Sequence, residues 1–122
     1  MKKRILVVED TEDNRQIIRD LLTSAGYEMI EALDGAQGVA MAAEHKPDLI
    51  LMDIQMPVMD GYEATRRIKA DPALKSIPVI AVTSYALSGD EEKTRAAGCD
   101  GYIAKPYSPR QMLAKVREIL GA

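Results

Sequence analysis

A chain of 122 residues is sized for one domain, and 47% apolar with 29% charged residues is the make-up of a globular fold rather than a disordered tract. A net charge of −3, with five Tyr and neither Phe nor Trp, speaks against a nucleic-acid binder, which needs a basic surface and stacking platforms. One Cys and one His exclude an internal disulfide and a Cys/His structural zinc site, and no apolar run nears the ~20 residues of a membrane span. The basic start, Met1-Lys2-Lys3-Arg4, is followed by an apolar run too short for a signal peptide, so the expected location is the cytoplasm.

Short apolar runs alternate with longer amphipathic segments from end to end. Ile5-Leu6-Val7-Val8 predicts a buried strand. Residues 14–25 predict a helix with Ile17, Ile18, Leu21, Leu22 and Ala25 facing the core, stopped by Gly26. Residues 27–32 alternate like an edge strand, and 35–44 form an Ala-rich helix that stops before Pro47. Leu49-Ile50-Leu51-Met52 is a second apolar strand. Asp60 or Gly61 opens a helix to Ala70. Val79-Ile80-Ala81-Val82 is a strand, 88–97 a helix ended by Gly98, and 102–104 a last short strand. Ser108 caps a final helix with Pro109 in its first position and a stripe of Met112, Leu113, Val116, Ile119 and Leu120. Strands apolar on both faces need cover on both faces. The fold class is therefore α/β, a doubly wound five-stranded parallel sheet in the order 2-1-3-4-5 with five helices.

What ends each buried strand is informative. The first run ends in Glu9-Asp10, the third strand in Asp53, the fourth in Thr83 and the fifth in Lys105. Parallel strands end along one edge, where such folds bind ligands. Singly, each residue reads as a cap, turn or surface residue; together they make a cluster. Three carboxylates in one place repel, so at least one has a raised pKa unless a cation offsets them. Lys105 supplies one positive charge and a hard Mg²⁺ ion supplies two. Such a pocket suits a phosphoryl group, with Asp53 as nucleophile. Three other features read as structural. His45 is a partly exposed helix-terminal residue, Cys99 a small half-buried one before the last strand, and Met41, Met56, Met59 and Met112 are core or loop filler.

In order along the chain, Ile5-Leu6-Val7-Val8-Glu9-Asp10, the segment Asp48 to Gly61, Pro78-Val79-Ile80-Ala81-Val82-Thr83 and Gly101-Tyr102-Ile103-Ala104-Lys105-Pro106 resemble the receiver domains of two-component response regulators, the CheY-like (flavodoxin-like) fold. The resemblance spans the chain as one receiver over 1–122. It implies that Asp53 accepts phosphate, that Glu9, Asp10, Asp53 and the Gln55 backbone carbonyl hold Mg²⁺, and that Lys105 and Thr83 contact the phosphoryl group. It further implies that Tyr102 turns inward as Thr83 moves, and that the bond before Pro106 is cis. The change is then read on the face of helix 4, strand 5 and helix 5. Glu-Asp replaces the family's more usual Asp-Asp, which points to a water-mediated role for Glu9. Ser84 replaces the family's more usual Ala, and Gln55 and Tyr85 fall at the positions that in the family tune dephosphorylation; with a Tyr there, the resemblance implies slow hydrolysis.

The implied partners are a histidine kinase or histidine phosphotransfer protein as donor and a downstream protein as target, with no nucleic-acid contact and no membrane insertion. The chain acts as a monomer or a phosphorylation-promoted dimer. Residues 89–92 and Gly98-Cys99 also resemble the single-domain regulators of cell-cycle phosphorelays, and Met1 and the end at Gly121-Ala122 favour a free-standing regulator. One alternative is a receiver cut from a hybrid histidine kinase. Another is a Mg²⁺-dependent phosphohydrolase, against which Gln55 counts because it cannot serve as a general acid.

Overall fold

The computed structural model describes residues 2–54, 58–83, 90–105 and 107–121. In chain order the elements are β1 (Arg4–Val8), α1 (Glu12–Ser24), β2 (Glu28–Ala32), α2 (Gly35–His45), β3 (Leu49–Asp53), α3 (Gly61–Ala70), β4 (Val79–Thr83), α4 (Asp90–Ala97), β5 (Gly101–Ala104) and α5 (Pro109–Leu120). All neighbouring strands pair in parallel, in the order β2-β1-β3-β4-β5. Every residue of β3 and β4 is buried, as expected of strands covered on both faces. The alternating β2 lies at an edge, as its pattern predicted.

Because successive side chains point to opposite faces, the sheet separates two cores. Ile5, Val7, Leu49, Leu51, Ile80 and Ile103 face Ile18 and Leu22 of α1 and Met112 and Val116 of α5. Leu6, Val8, Ile50, Met52 and Val79 face Ala42 of α2 and Ala64 and Ile68 of α3. α4 packs beside α3 and β5. Met112 is wholly buried in the first core, and Met41, Met59 and Cys99 pack against the second. The His45 side chain is about one-third exposed, in keeping with its reading as a helix-terminal residue.

α1 departs from expectation. It starts at Glu12, two residues early, and Ile17 is 57% exposed rather than in the core. The buried positions are Arg15, Ile18 and Leu22, the i, i+3, i+7 stripe of a single face. Ile17 falls a full 100° turn step away from that stripe. β2 likewise begins at Glu28 rather than Tyr27, although Tyr27 is buried.

The starts of α2, α3 and α5 are well determined. The Asp34 carboxylate accepts from Gln37 N, the Asp60 carboxylate from Glu63 N, and Ser108 and Gln111 form a reciprocal capping box ahead of α5. Gly61 is required by packing, since a Cβ there would lie 2.4 Å from the Asp53 carbonyl oxygen. α3 thus starts directly against the end of β3. At the opposite edge of the sheet, Lys69 Nζ donates to the carbonyls of Lys75 (3.1 Å) and Ile77 (2.8 Å) and to Asp100 Oδ2 (2.9 Å). Asp100 Oδ2 also accepts from Val79 N at 2.8 Å.

Candidate functional site

Sheet geometry builds the site. Glu9 and Asp10 directly follow β1, Asp53 and Thr83 are the last residues of β3 and β4, and Lys105 directly follows β5. In register, Asp53 lies opposite Val82 and Thr83 opposite Ala104. Backbone pairing continues one step further, from Ile54 N to Val82 O at 3.1 Å and from Lys105 N to Thr83 O at 2.7 Å. The three strand ends therefore leave the sheet in fixed positions.

There, carboxylate oxygens of Glu9, Asp10 and Asp53 lie within 4.8 Å of one another. Glu9 and Asp53 are each only 4% exposed, Thr83 is fully buried, and Asp10 faces solvent. Lys105 Nζ sits 3.4 Å from Asp53 Oδ1 and 3.8 Å from Glu9 Oε1. One ammonium among three carboxylates leaves the expected charge imbalance, and Glu9 registers it. Its carboxyl is pushed up to about 7, first by burial, then by its hydrogen bond to Asp53 and the Asp53 charge. The repulsion read from the sequence thus falls on Glu9, with burial the larger cause.

The donor set fits a hard divalent cation. It is all oxygen, carries excess negative charge, and combines two sheltered carboxylates with one open to water. Glu9, Asp10 and Asp53 are the residues that would hold such an ion.

Glu9 is also held from behind by groups that the sequence reading passed over. Its backbone N donates to Ala32 O at 3.1 Å, and its carbonyl accepts from Arg15 Nη1 at 2.9 Å. Its carboxylate accepts from Thr11 N (3.2 Å, on Oε2) and Asn14 Nδ2 (3.3 Å, on Oε1). Tyr107 also borders the site. Burial raises its phenol pKa, and the charges of Glu9 and Asp53 raise it further. Tyr102 is half-buried in β5, opposite Ala81. Gln55, Pro106 and the segment 84–89, with Ser84 and Tyr85, lie outside the described residues.

Residues 5–117 match the family model of the response regulator receiver domain. The chain belongs to that family. As a receiver it is the phosphoacceptor switch of two-component signalling, and its sheet order is that of its CheY-like neighbours. It is 46% identical over 121 residues to the polar-differentiation response regulator DivK of Brucella anthropi, covering 99% of this chain and 98% of that one. Among solved structures, it superposes with a TM-score of 0.93 on the receiver domain of sensor histidine kinase PA1611 from Pseudomonas aeruginosa, at 38% identity and full coverage of both chains. That receiver holds a magnesium ion in its active-site cleft. The chemotaxis protein CheY4 of Vibrio cholerae matches with a TM-score of 0.92 at 28% identity, over 98% of this chain and 99% of that one.

The receiver's sheltering groups had only faint sequence signals. Arg15 sits three residues after Glu12, a helical ion-pair spacing, but a charged residue near a helix start reads first as solvated. Tyr107 follows the Lys105-Pro106 pair with nothing in the sequence to aim it at the carboxylates.

Proposed function

We propose that Asp53 is the residue this receiver phosphorylates, and that residues 1–122 act as one receiver domain. The supporting observation is a buried carboxylate at the end of β3, with Lys105 Nζ 3.4 Å from its Oδ1 and two further carboxylates within 4.8 Å. An Asp53 carboxylate oxygen attacks the phosphorus of a phosphohistidine. The P–N bond breaks, an acyl phosphate forms, and the leaving imidazole takes up a proton. Lys105, already beside Asp53, pairs with the transferred oxygens. Thr83, one strand over, is the hydroxyl that follows the new charge, and Tyr102 on the adjoining strand follows Thr83. Glu9, Asp10, Asp53 and the Gln55 carbonyl would hold a Mg²⁺ ion, which would offset the charge of the carboxylates and of the transferring group.

The donor on this reading is a histidine kinase or histidine phosphotransfer protein, and the readout is a protein docking on α4, β5 and α5, with or without dimerisation. The receiver assists its own phosphorylation rather than turning over an outside substrate. Among the described residues no helix is long and apolar enough to cross a membrane, which is compatible with work in the cytoplasm.

The test is labelling of the purified chain with radioactive acetyl phosphate in Mg²⁺ buffer. The wild-type chain takes up acid-stable, alkali-labile label, whereas Asp53→Asn and wild type in EDTA take up none. Label retained in Asp53→Asn moves the acceptor elsewhere.

A further inference from the structure

We infer that Arg15 is a positioning residue of the acidic site, one that sets its affinity for a divalent cation through the backbone of Glu9. Arg15 is a cation only 8% exposed, inside the face that α1 turns to the sheet. Its guanidinium has three partners. Nη1 donates to the Glu9 carbonyl at 2.9 Å, Nε lies 3.3 Å from Glu31 Oε1 on β2, and Nη2 pairs with Glu12 one turn back on α1. The Glu9 backbone is therefore pinned from both directions, its N–H on Ala32 of β2 and its carbonyl on Arg15 of α1. With both backbone groups directed at those two elements, the Glu9 side chain is left to project toward Asp53. Thr11 N and Asn14 Nδ2 then fix the carboxylate itself.

Arg15 touches no carboxylate of the triad. It holds the piece of chain from which two of them, Glu9 and Asp10, depart. Supporting groups of this kind typically change metal affinity about 10- to 100-fold when removed, because the ligands must then be ordered at the moment of binding. Without Arg15 the Glu9 carbonyl is also left buried and unpaired, which loosens the turn into α1.

Arg19 supplies the control. It pairs with the same two acids, at 3.0 Å from its Nε to Glu31 Oε2 and 3.5 Å from Nη2 to Glu12 Oε1, but among the described residues it makes no hydrogen bond to Glu9. A role in general electrostatics or in tying α1 to β2 belongs to both arginines. A role in placing Glu9 belongs to Arg15 alone.

The inference rests on the metal-site reading, and calorimetric titration of the full chain with MgCl₂ separates the two. Arg15→Gln is expected to bind Mg²⁺ about tenfold more weakly, and Arg19→Gln within about twofold of wild type. In acetyl phosphate labelling, Arg15→Gln needs more Mg²⁺ to reach half its rate but reaches the wild-type plateau. Should Arg15→Gln not fold by circular dichroism, Arg15→Lys decides, since it keeps the charge but replaces the guanidinium fork with a single nitrogen. Binding weaker than that of Arg19→Lys supports the role. Equal affinity of the Arg15 variant and wild type, or an equal loss in the matched Arg19 variant, overturns it while leaving the metal site standing. Wild-type chain that binds no Mg²⁺ overturns both.

Discussion

At Glu9, burial and a neighbouring carboxylate act on a single proton. Its carboxyl goes from 4.5 to about 7 on folding, so across that interval the folded chain holds more protons than the unfolded one. Stability then falls as pH rises through the window, opposite to the usual carboxylate behaviour. Glu31 has the ordinary sign. Arg19, then the Arg15 charge, hold it below the usual range, so its contribution is present above its unfolded value of 4.5 and is lost only in more acid solution. Melting curves in EDTA between pH 5 and 8 are expected to show wild type losing ground to Glu9→Gln as pH rises. Added Mg²⁺ should reverse the trend, because a bound cation favours the ionised form. A pH-independent gap between the two chains contradicts this account of Glu9.

This residue also shows what a sequence can and cannot disclose. Glu9, Asp53, Thr83 and Lys105 were legible because each terminates an apolar run, and parallel pairing brings such termini together whatever the side chains are. Arg15, Asn14 and Tyr107 were not. Their importance comes from directions taken by side chains across the chain turn and from burial, neither of which leaves a spacing in the sequence.

At the scale of elements, the same contrast separates well-marked helix starts from unmarked ones. Asp60 and Ser108 accept bonds from the N3 backbone and announce their helices. Thr11 occupies the N-cap of α1 without a side-chain cap bond, so the start of α1 carries no signature in the sequence. The exposed Ile17 misled for a different reason. Adjacent apolar residues 17 and 18 satisfy a helical pattern from either side, and only packing tells which one faces the sheet. Gly61 is the element boundary with a direct consequence for the site. Its absent side chain lets α3 begin against the Asp53 carbonyl, and Gly61→Ala would put a methyl 2.4 Å from that oxygen. Urea unfolding is expected to show a loss of about 1–3 kcal/mol. Because the atom displaced belongs to Asp53, acetyl phosphate labelling should slow as well; full stability with full labelling would mean that the backbone there yields freely.

Over the whole molecule, one sheet divides two cores that share no side chain among the described residues. Leu22 fills the α1/α5 side and Ile68 the α2/α3 side, and both are wholly buried. Leu22→Ala and Ile68→Ala are each expected to cost about 2–5 kcal/mol. Their double variant should lose the sum to within about 0.5 kcal/mol, since sites without shared partners add. If the double change proves too unstable to measure, Leu22→Val with Ile68→Val serves the same cycle. A larger departure would mean that the sheet transmits packing strain from one side to the other.

The Lys69 ammonium, gripped by two carbonyls and Asp100, closes the rim of the sheet far from the carboxylates. These bonds fix the foot of the sheet, opposite the head that carries the carboxylates. When phosphate adds charge at Asp53, amide deuterium uptake is expected to hold steady at Val79 and Asp100, whose N–H groups bond to the Asp100 carboxylate and the Val79 carbonyl. Uptake should change only beyond Thr83 and Ala104, where the strands run out. The foot then serves as the fixed frame against which a displacement at the head acquires a direction, and Lys69→Met is expected to blur that direction by letting both ends exchange together.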